Sequence, residues 1–188
     1  MKVLGIMGSP RKDGNTDILL DEALKGAESA GAQVEKISVL TLDIKPCTED
    51  YGCAITGTCT IRDDMDDIYE KLLESDLIIV ASPMFFYSMP SQLKALIDRS
   101  QALWSRKYLL KQTLSDKKRV GAFIGVGATK GKNLFEGAIL TMKYFYDAID
   151  IEYADNLLIR SVDQKGDIKE HPEALRDAYE LGKKLAYA

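Results

Sequence analysis

The sequence predicts an α/β fold, an open doubly wound parallel sheet of five strands with helices on both faces. Three observations predict it. Short apolar stretches read as strands buried on both sides, and Asp76–Ser82 is almost continuously apolar. Between them run amphipathic stretches whose apolar residues recur at helical spacing. The two kinds alternate along the whole 188 residues, and such alternation builds right-handed crossovers between parallel strands rather than hairpins.

In chain order, Lys2–Met7 is the first strand, and Asn15–Ala30 is a helix carrying Ile18, Leu19, Ala23 and Ala27, with Gly31 as its stop. Val34–Leu40 is the second strand and leads into a segment that holds all three cysteines. Asp63–Ser75 is helical, with Met65, Ile68, Leu72 and Leu73 on one face, and Asp76–Ser82 follows as the third, central strand. Pro90 and Ser91 open a helix that extends to Trp104. Arg119–Val126 is the fourth strand, Lys132–Ile149 a helix, and Glu152–Arg160 the last strand. Pro172–Ala186 closes the chain as a helix with proline in its first turn. Five strands in this length fit the flavodoxin-like order 2-1-3-4-5, a single domain over residues 1–188 with a cysteine-bearing insertion or lid at about 41–63. Ligands of such sheets sit beyond the strands' carboxyl ends, near the switch between the first and third strands. The informative loops are therefore those after Met7, Ser82 and Val126.

Composition narrows the function classes. Hydrophobic residues make up 46% and charged residues 29%, as in soluble globular proteins and unlike disordered ones. A net charge of −4 offers nothing to nucleic acid or an anionic membrane surface. No apolar run approaches the roughly 20 residues of a membrane span, and the opening VLGIM is too short for a signal-peptide core. The expectation is a cytoplasmic protein with no nucleic-acid or membrane partner.

The loop Gly8-Ser9-Pro10-Arg11-Lys12-Asp13-Gly14-Asn15-Thr16 leaves the first strand and opens a helix. It is neither a Walker loop, since Asn15 stands where the lysine belongs, nor a G-x-G-x-x-G dinucleotide fingerprint. Helix amides, the Ser9 and Thr16 hydroxyls and the Arg11 guanidinium could nonetheless enclose a terminal phosphate. An N-capped turn without ligand is the competing reading, because Asn and Thr cap helices in any case.

Together with Asp63-Asp64-Met65, Ser82-Pro83 and Leu93-Lys94-Ala95-Leu96-Ile97-Asp98-Arg99, this loop resembles the NAD(P)H-dependent FMN reductases, in the branch that includes the iron-sulfur flavoproteins. The resemblance runs over about the first 130 residues. It implies that Ser9, Arg11, Asn15 and Thr16 bind the FMN phosphate, with Lys12 and Gly14 contributing charge or backbone. It also implies that Pro83, Met84, Phe85 and Phe86 lie along the flavin edge. The competing role for Phe85 and Phe86 is core or subunit contact. The third loop, Gly125-Val126-Gly127-Ala128-Thr129-Lys130-Gly131, is glycine-rich, so that Gly127 and Ala128 could let backbone approach the cofactor. An ordinary strand-to-helix turn competes with that reading.

The cysteines lie at Cys47, Cys53 and Cys59. Iron-sulfur flavoproteins carry C-x2-C-x2-C and a later fourth cysteine here; this chain keeps the first, third and fourth and has Asp50 in the second place. Four readings stay open: a cluster on Cys47, Cys53 and Cys59 with Asp50 or a solvent ligand on the fourth iron; a lid over the flavin that has lost its cluster; a zinc site on the three cysteines and Asp50; and unligated thiols. His171 marks the start of the last helix, and Asp98-Arg99 an ion pair or packing contact. The resemblance implies an FMN oxidoreductase that passes electrons from NAD(P)H, or another donor, to a small-molecule or protein acceptor such as a quinone, a flavin or an iron-sulfur centre. It names no side chain as general acid or base. An iron-sulfur flavoprotein that carries electrons between protein partners is the alternative, and a flavin-free phosphate-binding module a third. The resemblance further implies a homodimer or homotetramer, with Trp104, Tyr108 and the stripe Tyr144, Phe145, Tyr146 as the indirect support.

Overall fold

Along β1 (Lys2–Met7) the side chains alternate between two apolar layers, Val3 and Met7 on one face and Leu4 and Ile6 on the other. The computed structural model, which describes residues 1–187, carries this alternation through β3 (Leu77–Pro83), where Leu77, Ile79 and Ala81 join the first layer and Ile78 and Val80 the second. With β2 (Gln33–Ser38), β4 (Val120–Gly127) and β5 (Glu152–Arg160) these strands form one parallel sheet in the order β2-β1-β3-β4-β5. This is the expected flavodoxin-like order.

The first layer lies under α1 (Asn15–Ser29) and α7 (Pro172–Ala186). The second lies under α3 (Met65–Glu74), α4 (Ser91–Arg99) and α6 (Glu136–Ala148). Between β2 and α3 the cysteine segment carries a short helix, α2 (Gly52–Thr56), that the sequence pattern did not predict. A short 3-10 turn, Asp167–Glu170, was likewise unforeseen. Gly31 takes φ +86 just past α1, as a helix stop should.

Two predicted helices need correction. The stretch Pro90–Trp104 is not continuous: α4 ends at Arg99, α5 (Gln101–Trp104) follows, and a π-turn spans Ser105–Leu109. At the junction the Ser100 hydroxyl donates to the Leu96 carbonyl at 3.1 Å, competing with the backbone and bending the helix. The helix expected from Lys132 starts only at Glu136, because residues before it form turns closed by Leu134 N–H to Gly131 O at 3.3 Å.

Arg119 is buried at the amino end of β4, and among the described residues no carboxylate pairs with it. It donates instead to the Leu72 carbonyl at 2.7 Å and the Leu73 carbonyl at 3.2 Å, and to the carbonyl of Ile149. Its charge thus sits against the carboxyl ends of α3 and α6, where helix dipoles are negative.

Candidate functional site

Gly8 lets β1 leave the sheet close to β3. A Cβ there would come 2.5 Å from Leu93 Cδ2 and 2.9 Å from the Ala81 carbonyl, to which Gly8 N–H already donates at 2.8 Å. The chain then turns and enters α1 through Gly14, and no side chain caps that helix. Its first amides consequently face a crevice of about 150 Å³ at the carboxyl ends of β1, β3 and β4. Ser9, Arg11, Gly14 and Thr16 form one wall, and Pro83, Met84, Phe85 and Ala128 the other. The Ser9 oxygen accepts the Arg11 N–H at 3.1 Å, so its own proton points elsewhere.

Of the expected site residues, Asn15 lines the crevice with its side chain also bonded elsewhere, while Lys12, Gly127 and Phe86 lie off its lining. The Asn15 side chain is tied to the loop after β5: its amide donates to the Gln164 carbonyl at 2.8 Å, and its oxygen accepts from Gly166 N–H at 2.9 Å and Ile168 N–H at 3.2 Å. Its backbone and one side-chain N–H are left for the crevice, which Asn15 lines. Lys12 is exposed and off the crevice wall. Gly127 is buried, and a Cβ there would strike Leu134, so this glycine serves packing while Ala128 reaches the crevice. Phe86 points into solvent, 103% exposed.

That orientation follows from a two-residue reverse turn. Phe85 N–H donates to Ser88 O at 2.8 Å and Ser88 N–H to Phe85 O at 3.0 Å, with Phe86 at φ +50 and Tyr87 at φ +62 between them. Left-handed backbone favours Asn or Gly, so two aromatics there are strained by about 1–2 kcal/mol each. Tyr87 anchors the turn: a Cβ on Gly131 would come 2.5 Å from its hydroxyl, and one on Gly137 2.8 Å from its carbonyl. The second loop is thereby seated on the third loop and on the start of α6.

The cysteine segment is organised by Arg99, whose side chain is fully buried. Its guanidinium grips Asp63 through two bonds, 2.6 and 3.2 Å, and donates to the carbonyls of Lys45 at 2.9 Å and Ile61 at 3.1 Å. Burial alone would raise the Asp63 pKa, but Arg99 and the N–H groups of Lys45 and Met65 outweigh it and hold the carboxyl below the usual carboxylate range. The two flanks of the segment are thus clamped together. Above the clamp, Cys47, Cys53 and Cys59 are free thiols that line a second cavity of about 650 Å³ together with Asp50. Asp50 is committed to the loop: Oδ1 accepts Gly52 N–H at 2.9 Å, and Oδ2 accepts the Thr60 hydroxyl at 2.5 Å and the Thr48 hydroxyl at 3.3 Å. Those bonds, Thr60 foremost, hold its carboxyl below the usual range. Among the described residues no three His, Cys, Asp or Glu side chains converge as metal ligands.

The description "NADPH-dependent FMN reductase" matches residues 1–151. The chain belongs to the NADPH-dependent FMN reductase family. An iron-sulfur flavoprotein of Methanosarcina thermophila is 38% identical over 130 residues, which take in 69% of this chain and 65% of that protein, so the chain spans less than two thirds of that relative's length. An iron-sulfur flavoprotein of Archaeoglobus fulgidus is 30% identical over 191 residues, covering 98% of this chain and 95% of that one. Among solved structures, an NAD(P)H:quinone oxidoreductase from Methanothermobacter marburgensis has a TM-score of 0.77 at 16% identity, over 98% of this chain and 96% of that one; this likeness is one of fold.

For a member of the FMN reductase family, the crevice suits the cofactor's phosphate. The uncapped helix start and the Arg11 guanidinium favour a dianion there, and the apolar wall from Pro83 to Phe85 suits a flat ring. The cysteine segment as it stands is not arranged for a four-ligand cluster: among the described residues no three of its thiol and carboxylate groups converge, and Asp50 already accepts from Gly52, Thr48 and Thr60. Sequence reasoning missed one wall of the crevice. Val162 and Asp163, after β5, close it, and the Asp163 carbonyl accepts from Arg11 Nη1 at 3.3 Å. No local pattern marks these residues, since their place depends on the distant Asn15. No helix among the described residues is long and apolar enough to cross a membrane.

Proposed function

We propose that this chain is an FMN-dependent oxidoreductase that takes electrons from NAD(P)H and delivers them to a small-molecule or protein acceptor. The observation that carries the proposal is the uncapped start of α1, opening into the crevice at the switch point of an FMN reductase family member. Ser9, Arg11 and Thr16 hold the phosphate with the amides of Gly14 and Asn15, and Lys12 adds positive charge from outside the crevice. Pro83, Met84 and Phe85 cover one edge of the ring, and Ala128, carried by Gly127, the other. Bound FMN would supply the redox chemistry, accepting and releasing reducing equivalents at its ring. The protein's own work is to bind the phosphate, orient the ring and exclude water from the apolar wall. No side chain is assigned a proton-transfer role.

The chain works in the cytoplasm, where its three free thiols stay reduced. It assembles as a homodimer or homotetramer through the exposed aromatic turn at Phe86 and the neighbouring face of α6, where Leu140 and Tyr144 are exposed. No cluster is assigned to Cys47, Cys53 and Cys59, so the reading as an iron-sulfur electron carrier is not favoured.

The test is spectroscopic. Protein purified without added flavin should be yellow, release FMN on denaturation, and bleach when NADH or NADPH is added without oxygen. Arg11→Ala should weaken FMN binding by about tenfold to a hundredfold, as expected for a lost charge-assisted hydrogen bond of ~1.5–3 kcal/mol. Colourless protein that does not take up FMN would refute the reading.

A further inference from the structure

The cavity under the cysteine segment, about 650 Å³, lies within the range of roughly 300–1,000 Å³ seen for small-molecule sites. The flavin crevice uses none of its lining residues. Its lining includes two aromatic residues, Tyr51 and Trp104, and the three cysteines, whose sulfur is a soft, polarizable partner for an aromatic ring.

The charge on the lining has one sign. Glu49, Asp50 and Asp98 contribute carboxylates, of which Asp98 shares its charge with Lys94, and among the described residues no Lys, Arg or His lines the cavity. The cations nearby are occupied. Lys94 pairs with Asp98 at 2.7 Å, Arg99 with Asp63 at 2.6 Å, and Arg106 Nε donates to the Gly57 carbonyl at 2.7 Å. The site is also built at some cost. Glu49 at φ +55 and Tyr51 at φ +59 hold backbone that L-residues rarely adopt, and the π-turn Ser105–Leu109 supplies Ser105 and Leu109 to the wall. Both kinds of irregularity concentrate at functional sites. The segment is held by Arg99 at its base, by Asp50 at its tip and by packing of Ile44, Cys53 and Cys59 on the core.

We propose that this cavity binds a planar aromatic cation, its ring against Trp104 and its charge facing Glu49 and Asp98, with the cysteines as a sulfur-lined wall rather than as metal ligands. A cation over an indole face is attracted by the ring's negative face, to which the carboxylates add, whereas an anionic ring is repelled. The site does not depend on bound flavin.

Trp104 is the single tryptophan of the chain, so its fluorescence reports occupancy directly. Purified full-length protein is titrated with N-methylquinolinium and, separately, with unprotonated quinoline, its neutral isostere. The expected result is saturable quenching by the cation, at least about tenfold tighter than by quinoline, the equivalent of ~1.4 kcal/mol. The Glu49→Gln/Asp98→Asn double variant, with circular dichroism confirming its fold, should bind both probes alike. Quenching that rises linearly without saturation, or a preference for the cation that survives in the double variant, overturns the proposal. Stoichiometric iron and acid-labile sulfide in anaerobically purified protein would overturn it as well. Colourless protein that still prefers the cation would sink the FMN reading and leave this one standing.

Discussion

At the scale of single residues, the most consequential contacts are made by side chains that face away from the crevice. Arg99 and Asp63 form a buried pair, and removing one partner would strand the other's charge. Arg99→Met should therefore cost about 3–5 kcal/mol in denaturant unfolding and make the cysteine segment the first site of proteolytic cleavage. The pair also has a pH signature. The folded Asp63 carboxyl is held below its ordinary range, so its stabilisation is complete above the unfolded pKa of ~3.9 and fades as pH falls through the folded value. Thermal midpoints of the wild type should drop more steeply below about pH 4 than those of Asp63→Asn, whose midpoint is lower at neutral pH. Equal slopes would show that other carboxylates dominate. Sequence reading identified Asp63 and Arg99 as pieces of a motif and assigned Arg99 an ion pair or packing role, but it did not pair them. Their meeting depends on how the segment folds back over α4. Asn15 shows the same limit. Its position at a helix start is legible, but its bonds to the loop after β5 are not, because they span about 150 residues of chain. Asn15→Ala should raise amide hydrogen exchange at 164–168 while leaving α1 protected. Unchanged exchange there would show that the latch is not what orders this loop.

At the scale of elements, period and punctuation made most of the fold legible. β5 and α7 fall at their predicted limits, and β1 matches residue for residue. What the pattern could not register was irregular helix, at the Ser100 bend, the π-turn and the brief α2, since these follow from side-chain competition and long-range contacts rather than periodicity. Nor could it rank the glycines. Gly26 on α1 and Gly182 on α7 lie where the two helices cross so closely that a Cβ on either would overlap a carbonyl of the other, Tyr179 from Gly26 and Ala23 from Gly182. In an isolated helix Gly→Ala would stabilise by up to about 1 kcal/mol. Here the clash must push α1 and α7 apart over the first apolar layer, and overpacking of that kind costs about 1–3 kcal/mol, so overlap outweighs propensity. Gly182→Ala should lower the unfolding midpoint measured by circular dichroism. A raised midpoint would mean that α7 slides along α1 without penalty. Because α1 also presents its amino end to the crevice, the same variant should hold FMN more weakly.

At the scale of the whole molecule, the sheet brings three loops to one end, and each loop is tied to another. Arg11 reaches the loop after β5, and Tyr87 seats the second loop on the third and on α6. This convergence was legible, because strand order alone fixes the switch point. What the outward face does was legible only as an alternative, since Phe86 was read as a flavin-edge residue with core or subunit contact as the competing role, and it stands in solvent. The structure holds Phe86 and Tyr87 in left-handed backbone, where Asn and Gly would fit without strain. A monomer gains nothing from a fully exposed phenylalanine in that conformation. Phe85, Phe86, Leu140 and Tyr144 instead leave large apolar side chains exposed around the turn and α6, which a second copy of the chain could cover. Phe86→Asn separates these two effects. It removes no intramolecular packing and relieves backbone strain, so the midpoint of the isolated subunit should rise, by an amount equivalent to about 1 kcal/mol or less. It also takes a large apolar group from the proposed interface, so sedimentation should shift toward smaller species with a weaker self-association constant. Both changes together are the expected outcome. A variant that is no more stable and assembles unchanged would mean that the turn's strain serves neither cofactor nor partner, and the interface would have to be sought on the opposite side of the sheet.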